Sequence, residues 1–384
     1  MRITSVTPFV VHPGWRKNWV FVRLATDDKI VGWGEAYTQY DRDAPVLAQI
    51  EELGRYVVGR DPFNIKHFTQ MAFDDFAKRR GSMELFSAIS AVEMALWDIV
   101  GKVLEQPVWR LLGGAYRDRV RVYANGWSYH LEDPNDYAKA AKQVIEQGFT
   151  AMKFDPVPGG RWRHYIPKRH ESHAVEVVAA VREAVGPDVD LLLDLHRRLA
   201  PMHAIRLAAR LEEYSPYWME EPCPAENVAA LAEVRAATEI PIVTGETLYT
   251  KTAFFPVLEG RAVDIINPDV CSVGGILELR EIAAMAEPCF VAVSPHNYNS
   301  TVLALSATVH AAAAMPNFII TEYFLPFAEF GRKVAPDCLV PEDGYIGLPE
   351  TSGLGLTIDE AVIEASAGKR YDMRSLPHPS EEVF

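Results

Sequence analysis

Acidic residues recur at a regular interval along this chain, each at the end of a short apolar run. Asp194 stands in LLLDLH, Glu220 in WMEEP and Glu246 in IVTGE, and each is 26 residues from the next. An interval of that length holds one strand, one helix and their turns. The pattern therefore calls for a repeated strand–helix unit with the acids at matching heights on neighbouring strands. The repeat extends in both directions. Strands are expected at 121–125, 151–155, 191–196, 218–221, 242–246, 265–269, 292–296 and 319–322. Helices are expected between them, for example at 136–147, 172–185, 204–214, 228–238 and 277–286. Eight such units predict an α/β fold, a (β/α)8 TIM barrel. An open doubly wound sheet is the alternative, and no GxGxxG follows any of these strands.

The first third reads differently. Residues 1–50 have strand character, with a hairpin of 19–24 and 31–35 about a turn at Asp27-Asp28. Residues 43–112 have helical character, clearest at 87–102, where Ala88, Ala91, Val92, Ala95, Leu96 and Ile99 share one face. The expected organisation is an α+β capping domain at 1–117, a barrel at 118–325, and a segment at 326–384, rich in Pro and Gly, that packs back on the capping domain. The unit after the second barrel strand is unusually long. Its 156–170 stretch is aromatic and basic, and a loop of that kind at a strand's C-terminal end is a candidate lid.

Composition narrows the function class. Of 384 residues, 49% are hydrophobic and 23% charged, ordinary for a globular protein with a large core. The formal net charge of −14 argues against nucleic acid and anionic membrane as partners. The four cysteines form no CxxC, the start lacks a signal-peptide pattern, and no run approaches ~20 apolar residues. A cytoplasmic protein acting on a small molecule is expected.

At the C-terminal rim of a barrel, Asp194, Glu220 and Glu246 would face one point. Three carboxylates there repel one another unless a cation neutralises them, and an all-oxygen set suits Mg2+ better than Zn2+. Further along, Asp269 ends INPD, His296 ends SPH and Glu322 ends IITE. Asp269 and His296 fall on adjacent strands, so a hydrogen-bonded pair suited to a general base is feasible. His196 follows Asp194 by two residues, and strand alternation would turn both to the same side. Lys153 and Asp155 share a face of the second strand, Asn125 and Trp127 close the first, and Trp15, Arg16 and Lys17 lie in an early loop. These are candidate substrate contacts.

VGWGEA (31–36), ALWDIVGK (95–102), RLLGG (110–114), MEEP (219–222), TGE (244–246), NPDVCSVGG (267–275) and SPH (294–296) together resemble the enolase superfamily, in its mandelate racemase-like branch. The resemblance covers nearly the whole chain. It implies a modified barrel with a capping domain, a homo-oligomer, and one Mg2+ per subunit on Asp194, Glu220 and Glu246. It also implies an Asp269–His296 dyad and an eighth-strand acid at Glu322. Racemases and cycloisomerases of the branch carry Lys-x-Lys on the second strand, whereas this chain has Lys153-Phe154-Asp155. Asp194-Leu195-His196 is similar to the Asp-x-His of acid-sugar dehydratases of the galactonate and gluconate type. The implied chemistry is α-proton removal by His296, protonation of the departing 3-hydroxyl by His196, and a 2-keto-3-deoxy product. Tyr165 is a rival base, because mannonate dehydratases use a Tyr from a lid in this region. A sugar-acid epimerase, or a catalytically weak regulatory member, are the alternative readings.

Overall fold

The computed structural model describes residues 1–40, 42–77, 81–160, 162 and 164–370. The chain opens with an antiparallel sheet of β1 (Ile3–Val11), β2 (Trp19–Thr26) and β3 (Val31–Ala36). Strand character ends there, short of residue 50. α1 (Asp43–Val57), α2 (Ile65–Ala72), α3 (Met83–Val103) and the short α4 (Val108–Leu111) follow. α3 begins four residues before its expected start because the Ser82 side chain accepts from the Leu85 N–H at 3.4 Å and caps it. Its apolar face lies on β3 at a distance only glycine permits. A Cβ on Gly34 would stand 2.0 Å from the Ala91 carbonyl oxygen, and one on Gly32 would stand 2.1 Å from that of Ala95. Backbone cannot rotate away as a side chain can, so Gly34→Ala is expected to cost about 3 kcal/mol in a urea-unfolding comparison with the parent chain.

The barrel follows. Its strands and helices are β4 (Arg119–Asn125), α5 (Pro134–Glu146), β5 (Ala151–Phe154), α6 (Lys168–Val185), β6 (Asp190–Asp194), α7 (Pro201–Leu211), β7 (Trp218–Glu220) and α8 (Val228–Ala236). They continue as β8 (Ile242–Thr244), α9 (Thr250–Glu259), β9 (Ile265–Ile266), α10 (Ile276–Ala286), β10 (Ala292–Val293), α11 (Leu303–Ala313) and β11 (Thr321–Phe324). Each strand pairs in parallel with the one before it, and β11 returns to pair with β4. Between β10 and β11 the Val293 N–H donates to Asn317 O at 2.9 Å and the Ile319 N–H to Val293 O at 3.0 Å, which closes the ring. The ladders of β9 and β10 are shorter than expected because Pro268 and Pro295 lack the N–H that would extend them. Pairing resumes beyond the prolines at an Asp269–His296 bridge.

Side-chain alternation sets the function of each level inside the ring. Tyr123, Ala151, Leu192, Trp218, Val243 and Ile265 form an apolar floor. Two residues further along each of these strands stand Asn125, Lys153, Asp194, Glu220, Gly245 and Asn267. Polar groups thus gather one level above the floor, at the C-terminal rim. Among the described residues no helix is long and apolar enough to cross a membrane.

The tail carries α12 (Ala328–Val334), β12 (Tyr345–Gly347) and α13 (Glu360–Ala365). It touches both units: β12 pairs antiparallel with β4, while Ala367 bridges Val11 and Gly353 bridges Pro107. Residues 371–384 of the expected C-terminal segment lie outside the described residues. Two buried carboxylates of the first unit join it to the barrel. Glu35 accepts from the Ser300 and Ala304 N–H groups at 2.9 and 3.0 Å, and Glu93 from those of Ile276 and Leu277 at 2.8 and 2.9 Å. Both therefore sit at the starts of barrel helices, where free N–H groups and the helix dipole favour an anion. Burial pushes each carboxyl up to about 7, with these hydrogen bonds pulling the other way.

Candidate active site

A cleft of about 1760 Å3 lies where the first unit meets the barrel's C-terminal rim. At its base Asp194, Glu220 and Glu246 each offer an oxygen within 4.8 Å of the others. The spacing of 26 residues produces this because β6, β7 and β8 are neighbours in one ring. Burial pushes the Glu220 carboxyl up to about 8; Lys153 pulls it down, and Asp194, Glu246 and Glu322 push it further up. Burial also opposes ionisation of Glu246, but Arg197, His296, Lys153 and His196 hold it well below the usual carboxylate range. Crowded hard oxygens of this kind fit a hard divalent cation such as Mg2+.

The rim also holds two imidazoles. His296 Nδ1 is 2.7 Å from Asp269 Oδ2, and Asp269 is held in turn by the Cys271 N–H at 2.8 Å and the Asn299 amide at 2.8 and 2.9 Å. Its Nε2 looks toward Glu246 at 3.3 Å and Glu322 at 3.7 Å. His196 reaches the same cleft by another route than strand alternation. β6 ends at Asp194, and His196 and Arg197 are both left-handed, with φ of 51° and 61°. The turn brings the His196 N–H to Asp194 Oδ1 at 3.0 Å and leaves the ring half exposed. Nδ1 then lies 3.1 Å from Asp155 and Nε2 lies 3.3 Å from Asp194. Burial lowers both histidines, but the surrounding carboxylates outweigh it and raise each to about 9. A divalent cation among those carboxylates would take back part of that rise.

The remaining sequence-predicted residues divide into three groups. Lys153 is 1% exposed and lies inside the acidic cluster, with Nζ at 2.8 Å from Glu220, 3.5 Å from Glu322 and 3.9 Å from Asp194. Asn125 donates to Glu322, which also accepts from the Asn297 N–H at 2.9 Å. Arg16 lines the cleft mouth with its guanidinium 4.1 Å from the Tyr129 ring centre. Lys17 is buried beside it, donating to Thr38 O at 2.9 Å. Trp127 points instead into the wall, where Nε1 donates to Lys153 O at 2.9 Å and the ring packs on Phe154. Tyr165 is 54% exposed and stands outside the described cleft lining. Within the 156–170 stretch, residues 161 and 163 lie outside the described residues. Trp162 anchors the loop by donating to Pro158 O at 2.7 Å, and 156–159 form part of the cleft wall.

Sequence reasoning missed Arg197, which donates to Glu246 and sits 3.4 Å from Glu221. It also missed Arg198, both of whose closest contacts are to Asp155 at 2.6 Å. The signal was available: two arginines follow directly on a rim Asp-x-His.

Residues 5–113 match the N-terminal domain of mandelate racemase / muconate lactonizing enzyme, and 136–362 match the enolase C-terminal domain-like family. A protein named D-gluconate dehydratase from Thermoproteus tenax is 38% identical, over all of this chain and 77% of that protein. One named D-xylonate dehydratase from Haloferax volcanii is 37% identical, over 94% of this chain and 88% of that one. The crystal structure of a mandelate racemase/muconate lactonizing enzyme-like protein from Roseovarius sp. TM1035 superposes with a TM-score of 0.91 at 34% identity, covering 98% of this chain and 99% of that chain.

Proposed function

The chain belongs to the mandelate racemase / muconate lactonizing enzyme family, and from that premise we propose that it is a Mg2+-dependent dehydratase of a sugar acid of the aldonate type. The observation that carries this reading is the pair of imidazoles just beyond β6 and β10, the third and seventh strands of an eight-strand ring. They flank the carboxylate cluster from opposite sides, as an acid and a base acting on two neighbouring carbons require. The relatives named above, dehydratases of sugar acids, support the same class of reaction.

Asp194, Glu220 and Glu246 would hold the metal, which when bound supplies a Lewis acid for the substrate's carboxylate. The proton beside a carboxylate is weakly acidic, so its removal needs a well-placed base. Asp269 accepts on both oxygens from Cys271 and Asn299; the His296 nitrogen facing it therefore donates, leaving Nε2 to take the α-proton. His196 on the opposite side gives a proton to the 3-hydroxyl. The C3–O bond breaks, water leaves, and the enol gives up its C2 hydroxyl proton and takes one at C3 to become a 2-keto-3-deoxy acid. Lys153, Asn125 and the Asn297 N–H hold Glu322 as a hydrogen-bond acceptor beside His296, where it can receive a substrate hydroxyl.

The test is a screen of the protein with Mg2+ against a stereochemically complete set of aldonic and aldaric acids, read as 2-keto product, with proton NMR in deuterium oxide. Keto product from one aldonate series is the expected result. Deuterium at the α-carbon without loss of water would make the chain an epimerase, and silence in both readouts would end the proposal. On the active acid, His196→Asn is expected to lower dehydration by about 10^2–10^4-fold while α-proton exchange continues.

A further inference from the structure

Two carboxylate–imidazole pairs face the cleft, and they are built alike. Asp269 follows β9 and partners His296 after β10; Asp155 follows β5 and partners His196 after β6. In each pair the carboxylate comes from one strand end and the imidazole from the next. Half a turn about the axis of an eight-strand ring carries one pair of strands onto the other. We propose that Asp155 is a positioning residue for His196: it holds the Nδ1–H of the ring so that Nε2 carries the proton toward the departing hydroxyl, and Arg198 holds Asp155 in place. This rests on the reading of His196 as the general acid.

Asp155 has no oxygen left for a substrate. Oδ1 accepts from the Val157 N–H at 3.0 Å and from Arg198 at 2.6 Å, and Oδ2 accepts from Arg198 at 2.6 Å and faces His196 at 3.1 Å. On this reading Asp155 serves His196 rather than the substrate directly. The guanidinium is itself tied to three carbonyls, Leu195 O at 3.2 Å, Pro158 O at 3.3 Å and Val157 O at 3.2 Å. It is therefore a rigid brace between the turn after β6 and the loop after β5. Arg198 donates to both oxygens of Asp155, so the carboxylate meets the ring as an acceptor and the ring nitrogen turned toward it is the donor.

Asp155→Asn tests this. Arg198 needs an acceptor, so the Asn oxygen would turn to it and the amide N–H to His196, reversing which ring nitrogen carries the hydrogen. On the acid identified by the screen, dehydration is expected to fall by ~10^2-fold or more, with α-proton exchange within about threefold of the parent. Adding Asp155→Asn to His196→Asn is expected to cost nothing further, whereas a purely structural role would multiply the two losses. With 15N-labelled histidine, no substrate and a pH high enough to make the ring neutral, the resonance missing in His196→Asn is expected to change from an Nδ1–H to an Nε2–H pattern in Asp155→Asn. Should that variant fold poorly, Arg198→Lys loosens the brace and is expected to lower dehydration roughly 10-fold, exchange again intact. Unchanged dehydration, a joint loss of both activities, or multiplying losses would overturn the proposal while the acid reading stands. Parent-like dehydration by His196→Asn would overturn both.

Discussion

His296→Asn is expected to abolish both α-proton exchange and dehydration, each by about 10^4-fold, in the same deuterium-oxide experiment that follows the parent enzyme. The size follows from the absence of a substitute. General-base catalysis contributes up to about 10^4-fold; Lys153 on the second strand is engaged by Glu220 at 2.8 Å, and the residue after that strand is the engaged carboxylate of Asp155 rather than a second lysine. The Asn amide can still donate toward Asp269, so the fold is expected to survive, with a melting temperature close to the parent's. The contrast with His196→Asn is the informative part. A base on one wall and an acid on the other predict that one variant loses both activities and the other only the second. Exchange persisting in His296→Asn would move the base elsewhere, with Tyr165 the next residue to replace.

Glu220→Gln is expected to remove the response to divalent cation. Glu220 is fully buried, with Oε1 accepting from Lys153 at 2.8 Å and Asn267 at 2.9 Å and Oε2 from Trp218 at 3.1 Å. Gln keeps this shape and removes one of three negative charges, so lost activity cannot be blamed on a missing side chain. A cation bound only by the native state stabilises it by about 2.7 kcal/mol at a hundred times its dissociation constant. Titrating Mg2+ into the parent should therefore raise its melting temperature, and EDTA should reverse the rise. In Glu220→Gln both effects are expected to vanish at millimolar Mg2+, and dehydration to fall by roughly 10^3-fold, more than the 10–100-fold typical of residues one step removed from a metal. A parent-like thermal response in the variant would place the cation away from this cluster.

How far the sequence is legible depends on what each residue's position rests on. Asp194, Glu220 and Glu246 could be brought together on paper because barrel strands repeat in space as they repeat in sequence, and the structure holds their oxygens within 4.8 Å. Asp269 and His296 obey the same logic and lie 2.7 Å apart. The fold class follows equally from the repeat. What could not be read was the lateral reach of long side chains. Arg197 and Arg198 are adjacent in sequence, yet one turns to Glu246 and the other to Asp155. That divergence comes from the left-handed turn at His196 and Arg197, which no periodicity announces. Trp127 faces the wall because its indole N–H finds a carbonyl there, and burying a large ring with its hydrogen bond satisfied is preferable to leaving it in a wet cleft.

The buried glutamates of the first unit have a consequence for how the molecule comes apart. Glu35 and Glu93 do not merely touch the barrel; they accept from N–H groups at the starts of α11 and α10. Peeling the cap away would strand two carboxylates and leave two barrel helices frayed at their starts. Each unit leans on the other for hydrogen bonds at this seam, so a single cooperative unfolding transition is expected. A cap borrowed from a relative could serve only if it brought acids to the same two places.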